Sequence, residues 1–336
     1  MWRPLGALSM RRARPSAAPM IERAEELVTI FGGGGFIGRY VCESLLKSGV
    51  RLRVAQRNPR EAHFLQPLGQ VGQIGFVAVD IGRPETVAPA VEGASAVINL
   101  VGILKGNFQA AHVEGARAIA EAARDGCAKA LVHVSAIGAD PASESRYAAT
   151  KGEGERAVRS AFPDATIIRP SLVFGPEDNL TNRFAALASL PVLPVIAAGR
   201  RFQPVYVKDV ARAIAMAALD PGKYGGTTFE VGGPRAMTMR ELNEAIAAAA
   251  GKSPELIELP DFAASILSMF GFLPGAPLTR DQWRMLQRDN VPAEGMPGLE
   301  AFGITPTALA SVASNWLLRF RRGGRFSLRN PGSQAA

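Results

Sequence analysis

The chain has 336 residues, enough for one large α/β domain or two ordinary ones with a sizeable core. Apolar residues make up 47% and charged residues 20%, which are ordinary globular values and exclude general disorder and a fibrous or collagen-like chain. The net charge of +8 comes from two acid-free ends, residues 1–20 with four Arg and 315–336 with five, so the body is nearly neutral and no nucleic-acid-binding face is expected.

The ends, the cysteines and the apolar runs suggest where the protein resides. Residues 1–25 are predicted to form a basic N-terminal tail, either a transit-like segment or an extension ahead of a start at Met20, and residues 319–336 a basic flexible tail. Cys42 and Cys127, without a CxxC pattern, are typical of a reducing compartment and predict no metal site. Residues 185–198 and 262–273 are shorter than the ~20 residues of a membrane-spanning helix, so at most a peripheral membrane contact is expected.

Short apolar segments alternate with helical patterns along the first half of the chain. Strands are predicted, in order, at 27–31, 50–55, 75–79, 96–101, 130–134 and 166–169, with helices at about 36–48 and 114–124. This alternation predicts an α/β fold with a Rossmann-like, doubly wound parallel sheet. Residues 202–207 and 228–231 are predicted to return to the sheet.

A change of pattern after the sixth strand predicts a second unit. We expect an NAD(P)-binding Rossmann domain over 26–235, with an irregular substrate-side insertion at about 176–203 that is rich in Pro. Residues 236–318 are predicted to form a smaller, mostly helical C-terminal lobe. Within it, residues 256–273 are unusually apolar, which fits either an ordinary core or a surface for a protein partner or membrane.

Glycine recurs after the first predicted strand as Gly32-x-x-Gly35-x-x-Gly38 and opens the first helix. Glycine permits the tight turn, lets backbone N–H groups approach a pyrophosphate, and allows close packing of helix on sheet. The alternative is a tight turn without a ligand. The position at the start of a strand–helix–strand series favours dinucleotide binding.

The end of the second strand indicates which dinucleotide. NAD sites usually place Asp or Glu about 20 residues after the glycines, where it binds the ribose 2′-hydroxyl. Residues 54–60 contain no acidic residue, and Arg57 is placed to bind a 2′-phosphate, with Arg39 and Arg60 as helpers. A solvated loop arginine is the alternative. NADP(H) is therefore the predicted cofactor, and NAD(H) the less favoured one.

A second motif, Tyr147-x-x-x-Lys151, predicts an active-site helix. Side chains at i and i+4 share a helix face, so the Lys151 ammonium is expected near the Tyr147 phenol, where it would favour the ionised form. Ser135, at the end of the fifth strand, is placed to donate a hydrogen bond to a substrate carbonyl. The pattern alone is a common accident; after the glycine motif and with Ser135, it favours a catalytic triad. His63, His112 and His133 are scattered, and His133 is expected to be a packed core residue.

Together these motifs resemble an extended or atypical short-chain dehydrogenase/reductase over about residues 26–235. The resemblance includes TIFGGGGFIGRYV, Asp80-Ile81, Asn99-Leu-Val-Gly102, and residues 169–176 and 203–210. More narrowly, residues 99–104, 161–165, 174–178 and 203–210 resemble the subunit-nine-like accessory proteins of respiratory complex I (NADH:ubiquinone oxidoreductase). That resemblance implies an NADP(H) molecule held as a structural element at the edge of the peripheral arm.

The resemblance also implies a set of binding residues. The phosphates would be bound by Gly32, Gly35, Gly38, Arg39 and Arg57, and the adenine region would be bound by Asp80. The ribose side would contact Asn99 and Gly102, and the nicotinamide ribose would contact Tyr147 and Lys151. The cofactor site would be completed by Phe36, Ile37, Ile81 and Pro170. The span from Ser135 to Tyr147 is shorter than in extended reductases, where this loop carries substrate contacts.

Two functions follow. The first is an NADP(H)-binding accessory subunit supporting assembly or stability of complex I, peripheral on the cytoplasmic face of a bacterial inner membrane, or on the matrix side of the mitochondrial membrane if the N-terminal segment is a transit peptide. The second is a free-standing NADPH-dependent reductase or epimerase acting on a small carbonyl substrate. The short loop, the apolar lobe and the narrower resemblance favour the first, and the intact Ser135, Tyr147 and Lys151 set favours the second.

Overall fold

The structure, a computed structural model, describes residues 25–269 and 279–321. Its strands are β1 (Leu27–Phe31), β2 (Arg51–Gln56), β3 (Ile74–Ala78), β4 (Ala96–Asn99), β5 (Ala130–Val134), β6 (Thr166–Pro170), β7 (Val173–Phe174), β8 (Val192–Ile196), β9 (Arg201–Phe202), β10 (Val205–Tyr206), β11 (Thr228–Val231), β12 (Met237–Thr238) and β13 (Glu255–Leu259). Its α-helices are α1 (Phe36–Lys47), α2 (Pro84–Val91), α3 (Gly115–Asp125), α4 (Arg146–Ala161), α5 (Asn179–Leu187), α6 (Val207–Leu219), α7 (Pro221–Tyr224), α8 (Met239–Ala249), α9 (Asp261–Met269), α10 (Arg280–Leu286), α11 (Leu309–Val312) and α12 (Ser314–Leu317). A π-helical turn, Gln109–Glu114, leads into α3.

Seven strands form one parallel sheet in the order β3-β2-β1-β4-β5-β6-β11. The predicted Rossmann-like α/β fold is thus confirmed. Phe31 at the end of β1 lies beside Ala55 of β2 and Asn99 of β4. The strand order reverses between β1 and β4, and in such sheets ligands bind outside the carboxyl ends of the strands at this switch point.

Helices cover both faces of the sheet because its strands are apolar on both sides. On one face, alternate residues of β1 such as Val28 and Ile30 pack with α1 and α6. On the other, Phe31 and Val97 pack with α2, α3 and α4. Because both faces of the sheet are covered by helices, a ligand can approach the sheet at the carboxyl ends of its strands.

One predicted return to the sheet is correct and one is wrong. Residues 228–231 form β11 at the edge of the sheet, beside β6. Residues 202–207 do not join it: β9 pairs antiparallel with β12, β10 pairs with β7, and α6 starts at Val207. Pro204, which lacks an N–H donor, lies between the two short strands, so no continuous ladder forms there.

A second core joins the segment 176–203 to the C-terminal region. Phe174, Phe202, Leu242 and Trp316 are buried together in it. The segment 176–203 contains a helix and a strand, α5 and β8, and β13 pairs parallel with β8. The C-terminal lobe, expected to be mostly helical, therefore contributes a strand as well.

The apolar stretch 256–273 has two kinds of environment within the described residues. Leu256 packs against the second core, whereas Phe262 is 70% and Ile266 54% exposed on α9. Residues 270–273 and most of both basic ends lie outside the described residues. Within 25–269 and 279–321, none of the helices combines the length and apolar character needed to cross a membrane.

Candidate functional site

The glycine turn lies between β1 and α1, at the switch point. Gly32 has a φ of +80°, a left-handed conformation that favours glycine. A Cβ at Gly38 would lie 2.5 Å from the carbonyl oxygens of both Gly32 and Gly33, so only glycine allows this helix to approach the turn. Among the residues that the structure describes, no side chain caps the N-terminus of α1 at Gly35. Its first N–H groups, at the predicted contacts Phe36 and Ile37, therefore form a suitable place for a phosphate.

Two arginines flank this turn, and they differ in whether their guanidinium groups have partners. Arg57, just after β2, is exposed and has no ion-pair partner in the described part of the chain. Arg39 is engaged: its guanidinium lies 3.3 Å from the Glu177 carboxylate and 4.8 Å from the Phe64 ring centroid. Where NAD sites usually carry an acid, the Gln56 side chain accepts a hydrogen bond from the Gly34 N–H at 3.1 Å. The corner beside Arg57 is therefore free of negative charge from β2, and Arg57 is free to take a phosphate.

Ser135, Tyr147 and Lys151 surround the carboxyl end of β5. Ser135 is only 4% exposed, and its Oγ is one of the few buried polar atoms without a partner among the described residues. Lys151 Nζ donates to the Val134 carbonyl at 2.8 Å, and a Cβ at Gly102 would lie 3.9 Å from that nitrogen. An unpaired buried hydroxyl is costly, so Ser135 is suited to donate to a group supplied by a ligand.

The predicted effect of Lys151 on Tyr147 is wrong for this structure. Burial raises the pKa of Tyr147 to about 12, and burial lowers the pKa of Lys151 to about 8. The Lys151 ammonium donates to the Val134 carbonyl, and removal of the phenol from water is the cause of the raised pKa of Tyr147. Tyr147 therefore keeps its proton at neutral pH, which suits a proton donor rather than a base.

A cavity of about 190 Å³ opens beside Tyr147 and Lys151. One wall is the short loop after β5, including Ile137 and Gly138, and the opposite wall comes from the C-terminal region, including Met285 and Arg288. The short loop therefore still borders a ligand-sized space. The second wall was not predicted, because it lies more than 130 residues further along the chain.

Residues 28–232 match the family model described as the NAD dependent epimerase/dehydratase family. The chain belongs to this family. The predicted resemblance to a dehydrogenase/reductase with this kind of fold is thereby confirmed.

Relatives of this epimerase/dehydratase member fall into two groups. Subunit 9 of the NADH dehydrogenase (ubiquinone) 1 alpha subcomplex from Mus musculus is 34% identical, covering 88% of this chain and 80% of the relative. The NADH-ubiquinone oxidoreductase 40 kDa subunit of Neurospora crassa is 28% identical, over 89% and 81%. A protein named ceramide reductase from Caulobacter vibrioides is 32% identical, over 89% of this chain and 98% of that one.

Solved structures share the fold. An NADPH-dependent quinone oxidoreductase from Escherichia coli, complexed with NADPH, superposes with a TM-score of 0.71 at 22% identity, over 86% of this chain and 99% of the other. The UDP-glucose 4-epimerase of Thermus thermophilus, in complex with NAD, gives 0.63 at 22% identity, over 88% and 98%. Both support a Rossmann-like sheet for this family member.

The side-chain amide of Asn99, a predicted contact in this epimerase/dehydratase member, is hydrogen-bonded within the fold. Asn99 is buried; its Oδ1 accepts from the Val101 N–H at 3.0 Å and its Nδ2 lies 3.1 Å from His133 Nδ1. These bonds hold the loop after β4, and the contact of Asn99 with a ribose stays a prediction. His133 is a packed core residue, as predicted, and burial lowers its pKa well below the ordinary value.

The remaining predicted contacts lie along the same edge. Asp80 is half-buried and its carboxylate accepts from the Gly82 N–H at 3.0 Å. Ile81 packs against Gly115, where a Cβ would meet its side chain at 2.6 Å. The Pro170 carbonyl accepts from the Ile137 N–H at 3.1 Å, which ties the cavity loop to β6. Asp80 and Ile81 follow β3 and Pro170 ends β6, so these residues lie at the carboxyl edge of the sheet, where an extended dinucleotide would run.

Proposed function

We propose that this protein is an NADP(H)-binding accessory subunit of respiratory complex I, supporting its assembly or stability with the nucleotide held as a structural element. The observation that carries the proposal is sequence similarity along the whole body of the chain. The Mus musculus subunit is 34% identical over 88% of this chain. A peripheral position on the cytoplasmic face of a bacterial inner membrane, or on the matrix side if the N-terminal segment is a transit peptide, is part of the proposal.

Purification tests this function. The tagged full-length chain is isolated from membranes in mild detergent, separated on a native gel, and its co-migrating proteins are identified by mass spectrometry. We expect it to migrate with complex I subunits in a large assembly. Recovery as a small soluble monomer or dimer from gently lysed cells would contradict the accessory role.

The nucleotide part of the proposal is supported by the glycine turn and the free Arg57. We expect NADPH to stabilise the protein more than NADH. A cofactor at a concentration of about 100 times its Kd adds ~2.7 kcal/mol to the free energy of unfolding. Arg57→Glu should abolish or reverse this preference, because a carboxylate repels a 2′-phosphate and accepts from a ribose hydroxyl. Thermal melting with each cofactor measures the effect.

A matched control is Lys129→Glu, which makes the same charge change at an exposed position before β5, at the opposite end of the sheet. It should leave the preference for NADPH intact. Equal melting shifts with NADPH and NADH in the wild-type protein would show that Arg57 does not select the cofactor.

Contact with the complex is proposed to involve the exposed apolar side chains of α9. Replacing Phe262 and Ile266 together by Ser should release the protein from the assembly into the soluble fraction, while NADPH binding stays unchanged. Burial of each of these side chains contributes about 1.5–3 kcal/mol to binding. If the basic tails alone bound the complex, moderate salt would screen that attraction and release the protein. Co-sedimentation of the complex after a salt wash measures the loss.

The control pair is Leu68→Ser with Val71→Ser, which removes two other exposed apolar side chains, 48% and 106% exposed, beyond β2. These changes should leave co-sedimentation unaffected. If both pairs release the protein equally, or neither does, α9 is not the contact surface.

A second function, a free NADPH-dependent reductase of a small carbonyl compound, is favoured by the site itself. Ser135 offers an unpaired buried hydroxyl, and Tyr147 retains a proton. Bound NADPH would supply the hydride. Ser135 would donate a hydrogen bond to the carbonyl oxygen, and Tyr147 would donate the proton that this oxygen receives. Lys151, which donates to the Val134 carbonyl at the end of β5, would bind the ribose side of the site. The Caulobacter relative named a reductase, matched over 98% of its length, is in accord with this role.

A further inference from the structure

The N-terminus of α4, the helix that carries Tyr147, is capped by a carboxylate from the C-terminal lobe. Asp281 Oδ1 accepts from the Arg146 N–H at 2.7 Å, and Oδ2 accepts from the Tyr147 N–H at 3.1 Å. The Ser145 hydroxyl donates to the same Oδ2 at 3.1 Å, while its oxygen accepts from the Ala148 N–H at 3.3 Å. Helix N-termini leave such N–H groups without intrahelical partners, and a negative charge there is favourable.

Two further hydrogen bonds tie the same part of the lobe to the loop before α4. The Arg284 guanidinium, one turn after Asp281 on α10, donates to the Glu144 carbonyl at 3.0 Å. The Asn290 amide donates to the Ile137 carbonyl at 3.4 Å. Residues between 284 and 290 therefore line the cavity beside Tyr147, and Asp281 and Arg284 hold the start of the Tyr147 helix.

We propose that Asp281 is a positioning residue: its carboxylate sets the first turn of α4, and so the Tyr147 phenol and the nicotinamide end of the nucleotide site. The adenosine end, built by the glycine turn and Arg57, contains no group that Asp281 touches. The lobe is thus required for one half of the site and not for the other. This inference rests on the proposed nucleotide binding, and it holds for both the accessory and the reductase function.

Paired ligands test the proposal. The affinity of the full chain is measured by calorimetry for NADPH and for 2′,5′-ADP, which has the phosphorylated adenosine end but no nicotinamide. Asp281→Ala should weaken NADPH binding about tenfold and leave 2′,5′-ADP within about twofold, since only the nicotinamide end depends on the first turn of α4. Asp281→Asn, which keeps the shape and one acceptor oxygen, should give an intermediate loss.

Glu241→Ala is the matched control. Glu241 also caps a helix of the C-terminal lobe, but that helix is α8: its carboxylate accepts from the Thr238 N–H at 2.6 Å, and it does not line the cavity beside Tyr147. This change should leave both affinities unaltered. Equal weakening of both ligands by Asp281→Ala, no weakening at all, or the same split with Glu241→Ala would overturn the positioning role.

Amide hydrogen exchange keeps the proposal separate from nucleotide binding. In Asp281→Ala and Asp281→Asn, exchange should rise at Arg146 and Tyr147 and stay unchanged in β6, whereas Glu241→Ala should leave α4 protected. If the wild-type chain binds neither nucleotide, the proposed cofactor role fails, and unchanged exchange at these two amides would then also refute positioning by Asp281. Raised exchange confined to this turn would support it.

Discussion

Tyr147→Phe is expected to lower the turnover of an NADPH-dependent carbonyl reduction by about 10²-fold or more, while NADPH affinity stays nearly unchanged. The change removes the proton donor and little else, since burial already keeps the phenol protonated, with a pKa raised to about 12. Steady-state kinetics and a parallel binding titration separate loss of chemistry from loss of cofactor.

The same variant distinguishes the two proposed functions in cells. An accessory subunit should tolerate Tyr147→Phe, with normal assembly of the respiratory complex and no lost activity. Cells that lose an NADPH-consuming activity while complex I assembles normally would decide for the reductase. Tyr206→Phe is the control, because it removes a hydroxyl from a ring that is stacked on Trp316 and tilted against Phe174 in the second core, away from Ser135 and Lys151.

Arg169→Met is expected to lower the free energy of unfolding by about 3–5 kcal/mol. The Arg169 guanidinium bonds the Glu155 carboxylate at 2.7 Å and the Glu230 carboxylate at 3.1 Å, and both acidic side chains are at most 7% exposed. Removing the cation leaves two buried carboxylates without a counter-charge. Denaturant unfolding measures the difference.

Two comparisons check the cause. Adding Glu155→Gln and Glu230→Gln to Arg169→Met should recover most of the loss, because a neutral site no longer needs the cation. Arg124→Met breaks an exposed pair with Asp125 and should leave the free energy of unfolding nearly unchanged. A loss in Arg169→Met no larger than this would show that the buried network contributes little.

Local sequence patterns were sufficient to predict the glycine turn between the first strand and the first helix. The glycine spacing, the strand before it and the helix after it are neighbours in the chain, and Gly38 meets the backbone of Gly32 and Gly33 only six and five residues earlier. Likewise, Ser135 is a strand-end residue, and Tyr147 and Lys151 share one helix face by spacing alone. The local sequence does not specify which carboxylate or carbonyl group these side chains contact.

Charge and hydrogen-bond partners depended on packing. The expected effect of Lys151 on Tyr147 failed because burial of both groups, and the Val134 carbonyl, are properties of the assembled site. Arg39 was predicted as a phosphate ligand from its position after Gly38, but its ion pair with Glu177 joins residues 138 positions apart. The raised pKa of Tyr147 and the ion pair of Arg39 both depend on burial and on contacts between distant residues. The periodicity of the sequence does not specify either of them.

Short-range steric and periodic rules thus predicted the strands of a parallel, Rossmann-like sheet, the glycine turn after its first strand and the positions of Ser135, Tyr147 and Lys151. The tertiary structure alone decided that Asp281 caps the Tyr147 helix and that residues 284–290 wall the cavity. A capping pattern, Thr279 to Gln282, marks the start of α10 in the sequence, but where that helix docks depends on side-chain packing between distant segments, and no local rule specifies it.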